Sequence, residues 1–209
     1  QRRLSRILFP LAALTKQEVR RIAEQAGLVN AHKADRQDIC FAPDGDYTAI
    51  IEAAAPGAFT AGAFVDTDGN TIGTHLGLHR YTIGQRRGLG LPLVYAAYLV
   101  EKSAARNRVI VGAVEDLAAA ACTVREVNWI AAAPAQPFSA EVKTRYRQQM
   151  KPARIEPAGE GEVRIVFDEP ERAVARGQAA VFYRSGCVLG GGVISSVTPV
   201  KPHGYAIIN

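Results

Sequence analysis

The chain is short of cysteine, methionine and tryptophan, with three, one and one among its 209 residues. Three cysteines are an odd and low number, which argues against a secreted disulfide scaffold and for a reducing compartment. None has a second Cys or a His at ligand spacing, so no zinc or other metal site is expected. Long apolar runs are missing too. The longest, residues 89–100, is broken by Gly90 and Pro92 and falls short of the ~20 residues a spanning helix needs. The opening Gln1-Arg2-Arg3-Leu4 is polar and basic with no apolar segment behind it, so no signal peptide is read there. A cytoplasmic protein is the expectation. An initiator Met is absent and the one Met is Met150, so the chain reads as a piece of something longer.

What remains is the composition of a globular protein: 48% hydrophobic, 22% charged, with 25 Lys+Arg against 20 Asp+Glu. The net charge of +5 is compatible with a polyanionic partner but does not establish one. Thr15-Lys16-Gln17-Glu18 is a capping box, in which the Thr hydroxyl and the Glu carboxylate each satisfy a backbone N–H. Val19, Ile22, Ala23 and Ala26 form a helical stripe, and Gly27 supplies the left-handed stop. A second helix is expected over residues 47–54, capped by Asp46 and stopped by Pro56-Gly57.

From there the pattern turns to short strands. Ala63-Phe64-Val65 and Thr71-Ile72-Gly73 flank a glycine-containing turn and read as a hairpin. Residues 93–100, 108–111, 124–130, 138–147, 162–167, 179–183 and 192–197 are further strands. In the segment 138–147, Phe138, Ala140, Val142, Thr144 and Tyr146 share one face, and Glu141, Lys143, Arg145 and Arg147 the other. The fold class expected is mainly β with an N-terminal helical part, and the even spacing of strands with Gly-rich turns suggests a barrel.

Candidate functional residues carry two readings each. Cys40, between Lys33, Arg36 and the opposing Asp35 and Asp38, is either a reactive thiolate or a small buried hydrophobe beside Ile39 and Phe41. Cys122 and Cys187 read as structural, the second in a Gly-rich turn. His75 and His79, flanked by Gly73 and Gly77, read as a satisfied or solvent-facing pair rather than helical ligands. Arg80-Tyr81-Thr82-Ile83-Gly84-Gln85-Arg86-Arg87-Gly88-Leu89-Gly90 is either an RNA-backbone loop or a solvated turn. It lacks the Gly-Lys-Ser/Thr of a nucleotide loop. Lys143, Arg145 and Arg147, with Lys151 and Arg154 behind them, form either a phosphate-binding face or an ordinary solvated one.

Taken together and in order, these segments resemble the bacterial tRNA-specific 2-thiouridylases. The residues that carry the resemblance are Leu8-Phe9-Pro10-Leu11, Asp38-Ile39-Cys40-Phe41, Gly73-Thr74-His75-Leu76-Gly77, Tyr81-Thr82-Ile83-Gly84-Gln85-Arg86, Arg145-Tyr146-Arg147-Gln148, Phe167-Asp168-Glu169-Pro170 and Gly177-Gln178-Ala179-Ala180-Val181-Phe182-Tyr183. The ordered set spans nearly the whole chain.

The resemblance implies three parts: residues 1–55, the helical end of an ATP-pyrophosphatase domain; 56–124, a small central β domain; and 125–209, a β-barrel similar to domain II of elongation factor Tu. It implies that the full enzyme uses ATP to adenylate a wobble uridine at C2, and that Cys40 carries the persulfide sulfur that replaces the oxygen. Disulfide chemistry between two cysteines goes with this. It puts tRNA contacts on Arg145, Tyr146 and Gln178, to which the basic face adds Lys143 and Arg147. A tRNA and a sulfur-donor protein are the implied partners. The family's Ser-Gly-Gly-Val-Asp-Ser loop and its first catalytic cysteine are not in this sequence, so the ATP site is expected in a missing N-terminal domain and the piece alone is expected to be inactive. Arg36 stands where the family often has Ser, and the segment after Gly90 is shortened. The rival expectations are a stand-alone RNA-binding barrel and a protein-interaction barrel with no RNA role.

Overall fold

The computed structural model describes residues 4–33, 47–92, 95–146 and 148–201. The chain divides into two compact units, Gln1–Ala54 and Ala55–Asn209. In the first unit, helix α1 (Lys16–Gln25) begins on the expected capping box: Glu18 N–H donates to Thr15 Oγ1, and Thr15 N–H donates to Glu18 Oε2 at 2.6 Å. It ends in a Schellman motif. Gly27, at φ 66°, donates to Glu24 O, and Leu28 N–H to Ala23 O at 2.9 Å. Helix α2 (Tyr47–Ala54) spans the expected residues, and its cap Asp46 lies outside the described residues.

The second unit holds two sheets. The smaller has the order β2-β1-β4-β3, from β1 (Gly62–Val65), β2 (Thr71–His75), β3 (Tyr98–Ser103) and β4 (Arg108–Gly112). Strands β1 and β2 form the expected hairpin, and β1 then pairs with β4 in parallel. Phe64, Leu99, Val109 and Val111 make its core, each at most 1% exposed. Strand β3 starts at Tyr98, later than the hydrophobic run suggested, because its partner β4 ends at Gly112, the residue opposite Tyr98.

The larger sheet is a closed barrel, in the order β10-β5-β8-β7-β6-β9. Its strands are β5 (Ala118–Trp129), β6 (Phe138–Lys143), β7 (Lys151–Gly159), β8 (Glu162–Arg172), β9 (Ala179–Arg184) and β10 (Cys187–Pro199). Val124, Val142, Ile155, Ile165, Phe182 and Ile194 fill the interior, by alternation that is broken only at the bulges of β5 and β10. The mainly β architecture with an N-terminal helical part is thus observed.

Three departures from the sequence reading have physical causes. Strand β5 begins six residues before the expected Val124, so a domain boundary between 124 and 125 would cut it in the middle. Its Ala118–Ala121 stretch is a poor strand sequence by propensity, yet Ala119 and Ala121 are 1% exposed against β8 and β10, and that packing decides the outcome. Strand β7 was not expected, because Pro152 and Pro157 interrupt it. Pro152 is opposite Glu141 of β6 before pairing with β8 starts at Ala153. Pro157 is opposite Val163 of β8 after pairing with β6 has ended at Ile155. Each proline therefore sits where β7 has a neighbour on one side only, where a missing N–H is tolerated.

The third is the triplet Gly190-Gly191-Gly192. It lies inside β10 and not in a turn, and Cys187 starts that strand. A Cβ on these residues would stand 2.6 Å from Asn128 O, 2.6 Å from Ala180 O and 2.4 Å from Arg125 O respectively. The glycines let β10 approach both neighbours closely enough to close the barrel, with bulges on either side of them.

Candidate RNA-binding end of the barrel

Antiparallel pairing collects the candidate RNA residues at one end of the barrel. Strand β6 ends at Lys143, which is opposite Val181 of β9. The bend holding Arg145 and Tyr146 follows β6 at this end, and Gln178 directly precedes the start of β9 at the same end. The same end receives the start of β7 at Lys151 and the end of β8 at Arg172.

The bend is built by one side chain. Gln148 Oε1 accepts both the backbone N–H of Thr144 at 2.9 Å and its hydroxyl at 2.8 Å, and Gln148 N–H donates to Arg145 O at 3.2 Å. Thr144 is 1% exposed, as the alternation required. The alternation then stops. Tyr146, expected on the inner face, is 91% exposed, because β6 ends at Lys143 and the bend turns the next residues outward. Lys143 Nζ stands 5.9 Å from the centre of the Tyr146 ring, at the outer edge of cation–π distance. Arg145 Nη2 lies 3.5 Å from Glu171 Oε1, and Lys151 Nζ 3.7 Å from Glu169 Oε2. The Gln178 side chain is exposed, while its backbone exchanges bonds with Ala175 and Ile194. The structure therefore brings Lys143, Arg145, Tyr146 and Gln178 to one end. Arg147 lies outside the described residues. Sequence reasoning named Gln148 only within the Arg145-Tyr146-Arg147-Gln148 motif and did not name Glu171, since neither type nor spacing marks an amide or carboxylate that acts on a neighbouring loop.

An exposed ring, separate cations and an exposed amide suit a nucleic acid: the ring can stack on an unpaired base, and the cations can neutralise phosphates. Elsewhere, the 80–90 loop is held from within. Thr82 N–H donates to Gln85 Oε1, Gln85 Nε2 donates to Arg87 O, and Tyr81 and Leu89 are buried. Arg86 and Arg87 are left exposed, Arg86 beside a shallow cavity of about 440 Å³.

His75 is fully buried and hydrogen-bonded, which matches the satisfied reading for that residue. Cys122 is 1% exposed, and burial pushes its thiol up to about 12, so it is a core residue and not a nucleophile. Cys187 is exposed, and both are free thiols. Cys40 lies outside the described residues, and among those described no disulfide is formed. Among the described residues no helix is long and apolar enough to cross a membrane, and no cluster of three or more His, Cys, Asp or Glu could hold a metal.

Comparison with known proteins assigns these parts. Residues 1–44 match the tRNA methyl transferase HUP domain, 54–113 the tRNA methyl transferase PRC-barrel domain, and 119–194 the aminomethyltransferase beta-barrel domain. That succession defines a class of multidomain tRNA-modification proteins. Among relatives, the tRNA-specific 2-thiouridylase MnmA of Treponema denticola is 51% identical over 204 residues, 94% of this chain and 56% of the relative. Those of Syntrophotalea carbinolica and Halothermothrix orenii are 45% and 43% identical over 195 residues, covering 93% of this chain and 55% and 54% of theirs. The chain belongs to the tRNA-specific 2-thiouridylase family. It spans about half the length of the curated relatives it matches.

Proposed function

We propose that this chain is the tRNA-binding and sulfur-carrying part of a tRNA-uridine 2-sulfurtransferase, which thiolates the wobble uridine of a tRNA anticodon. The observation that carries the RNA-binding reading is the barrel end, with Tyr146 91% exposed beside Lys143 and next to Arg145, at the end where Gln178 precedes β9. The thiolation reading is supported by the relatives' names and by the Asp38-Ile39-Cys40-Phe41 motif.

In that reaction the uridine C2 oxygen has to be made a leaving group, and ATP held by another part of the full enzyme would supply that activation. The outer sulfur of a Cys40 persulfide forms the new bond to C2. The S–S bond of the persulfide breaks when a second thiol attacks the Cys40 sulfur, which leaves a disulfide. A sulfur-donor protein recharges Cys40 after that disulfide is reduced. An anticodon loop is already single-stranded, so presenting its base costs little. The Ser-Gly-Gly-Val-Asp-Ser nucleotide loop does not occur in these 209 residues, so they do not fit ATP, and the chain alone binds tRNA without turnover.

Two experiments test the two halves. Filter binding of tRNA should weaken with salt. Lys143→Ala and Arg145→Ala should each weaken it further and reduce the salt slope by about 1. Binding unchanged by salt and by both substitutions refutes the RNA face. In the intact enzyme, Cys40→Ser should abolish 2-thiouridine, measured by nucleoside mass spectrometry, with tRNA binding near normal. Retained thiouridine removes Cys40 from the mechanism.

A further inference from the structure

Glu171 is a buried carboxylate at an otherwise exposed, basic end. It is 4% exposed, whereas Glu169, two residues earlier on β8, has a side chain 79% exposed and reaches out to Lys151. Glu171 Oε1 faces Arg145 Nη2 at 3.5 Å and also accepts the Arg172 N–H at 3.0 Å. Among the described residues, Glu171 Oε2 is buried without a hydrogen-bond partner. Burying a charge with one oxygen unsatisfied is unfavourable for stability alone, so the arrangement calls for another reason. Arg145 is half-exposed, its side chain at 45%. A guanidinium has five N–H donors in a fixed planar fork. Holding one nitrogen from below leaves the others for an outside acceptor and removes much of the rotamer freedom that binding would otherwise have to quench. The backbone under Arg145 is already held by Thr144 and Gln148.

We infer that Glu171 is a positioning residue, which through Oε1 holds the Arg145 guanidinium in the orientation that meets an RNA phosphate. This rests on the RNA-binding reading of the same barrel end.

The test is a double-mutant cycle on tRNA affinity, with urea unfolding as the check on folding. Arg145→Ala should weaken binding. Glu171→Ala should weaken it by about threefold or more, and should have no further effect when Arg145 is already Ala. Glu171→Gln keeps the acceptor oxygen and should stay within about twofold of the parent. Glu171→Asp withdraws the carboxylate by one methylene, should bind like Glu171→Ala, and replaces it if the alanine variant does not fold. The inference is overturned if the Glu171 effect adds in full to that of Arg145→Ala, if Glu171→Gln loses as much as Glu171→Ala, or if Glu171→Ala and Glu171→Asp bind normally while Arg145→Ala does not. If Arg145→Ala itself binds normally, the RNA-face reading fails and takes this inference with it.

Discussion

The imidazole of His75 donates from Nε2 to the backbone carbonyl of Asn107 at 3.1 Å, while its Nδ1 accepts the Gly77 N–H at 3.1 Å. Both ring nitrogens are thus used, and these two bonds assign the proton to Nε2. Asn107 sits at φ 47°, and its Nδ2 donates to Ala61 O at 2.9 Å and Thr60 Oγ1 at 3.1 Å. The pair ties the end of β2 to the turn between β3 and β4. The ring also stands edge-on to Phe64 and Tyr81, at 5.7 and 5.9 Å between centroids. His75→Ala leaves a cavity and the Gly77 N–H without its acceptor, while Asn107 O keeps the Ala63 N–H, and should cost about 2–4 kcal/mol in urea unfolding. An unchanged urea midpoint would mean that this junction is not part of the cooperative core.

Gly191→Ala should weaken the barrel seam. The new Cβ would stand 2.6 Å from Ala180 O, a backbone atom that cannot swing aside. A loss of about 1–3 kcal/mol is expected, read as a lower midpoint of thermal unfolding. A variant that melts with the parent would show that β9 and β10 can separate without cost.

Cys122 makes stability depend on alkaline pH. Burial raises its thiol from 9.0 to about 12, with Arg164 opposing. Above pH 9 the unfolded chain releases this proton and the folded one keeps it. Its contribution is therefore full below pH 9 and is lost as pH rises toward about 12. The slope is up to about 1.4 kcal/mol per pH unit. Cys122→Ala should flatten it in urea unfolding measured between pH 8 and 10, taken as approximate bounds of the accessible range. In the native chain, a thiol-alkylating reagent should label exposed Cys187 and spare Cys122. Equal labelling of the two would contradict the burial of Cys122.

Tyr146 should act in binding and not in folding. It is 91% exposed, so Tyr146→Ala should leave unfolding within about 0.5 kcal/mol of the parent. The same change should weaken tRNA binding by about 1–3 kcal/mol if a base stacks there, and Tyr146→Phe should retain most of the affinity. A Phe variant as weak as the Ala variant would point to the hydroxyl instead of stacking.

Local chemistry was readable where short-range physics dominates. The capping box at Thr15 and Glu18, the stop at Gly27 and the β1–β2 hairpin depend on residues within about four positions, and all three appear as read. The inner face of β6 was legible to Thr144 and misleading at Tyr146, because a period of two continues in a sequence after a strand has ended. Strand β7 was hidden by two prolines that only the staggered ends of β6 and β8 make acceptable.

The sequence by itself determined the family, the fold class and the candidate contacts Lys143, Arg145, Tyr146 and Gln178, since ordered motifs and alternation are properties of a linear string. Only the tertiary structure decided that residues more than thirty positions apart share one barrel end, that three glycines form a strand, and that Glu171 lies beneath Arg145. Those outcomes follow from strand register and barrel closure, which join distant segments through backbone hydrogen bonds that no local pattern encodes.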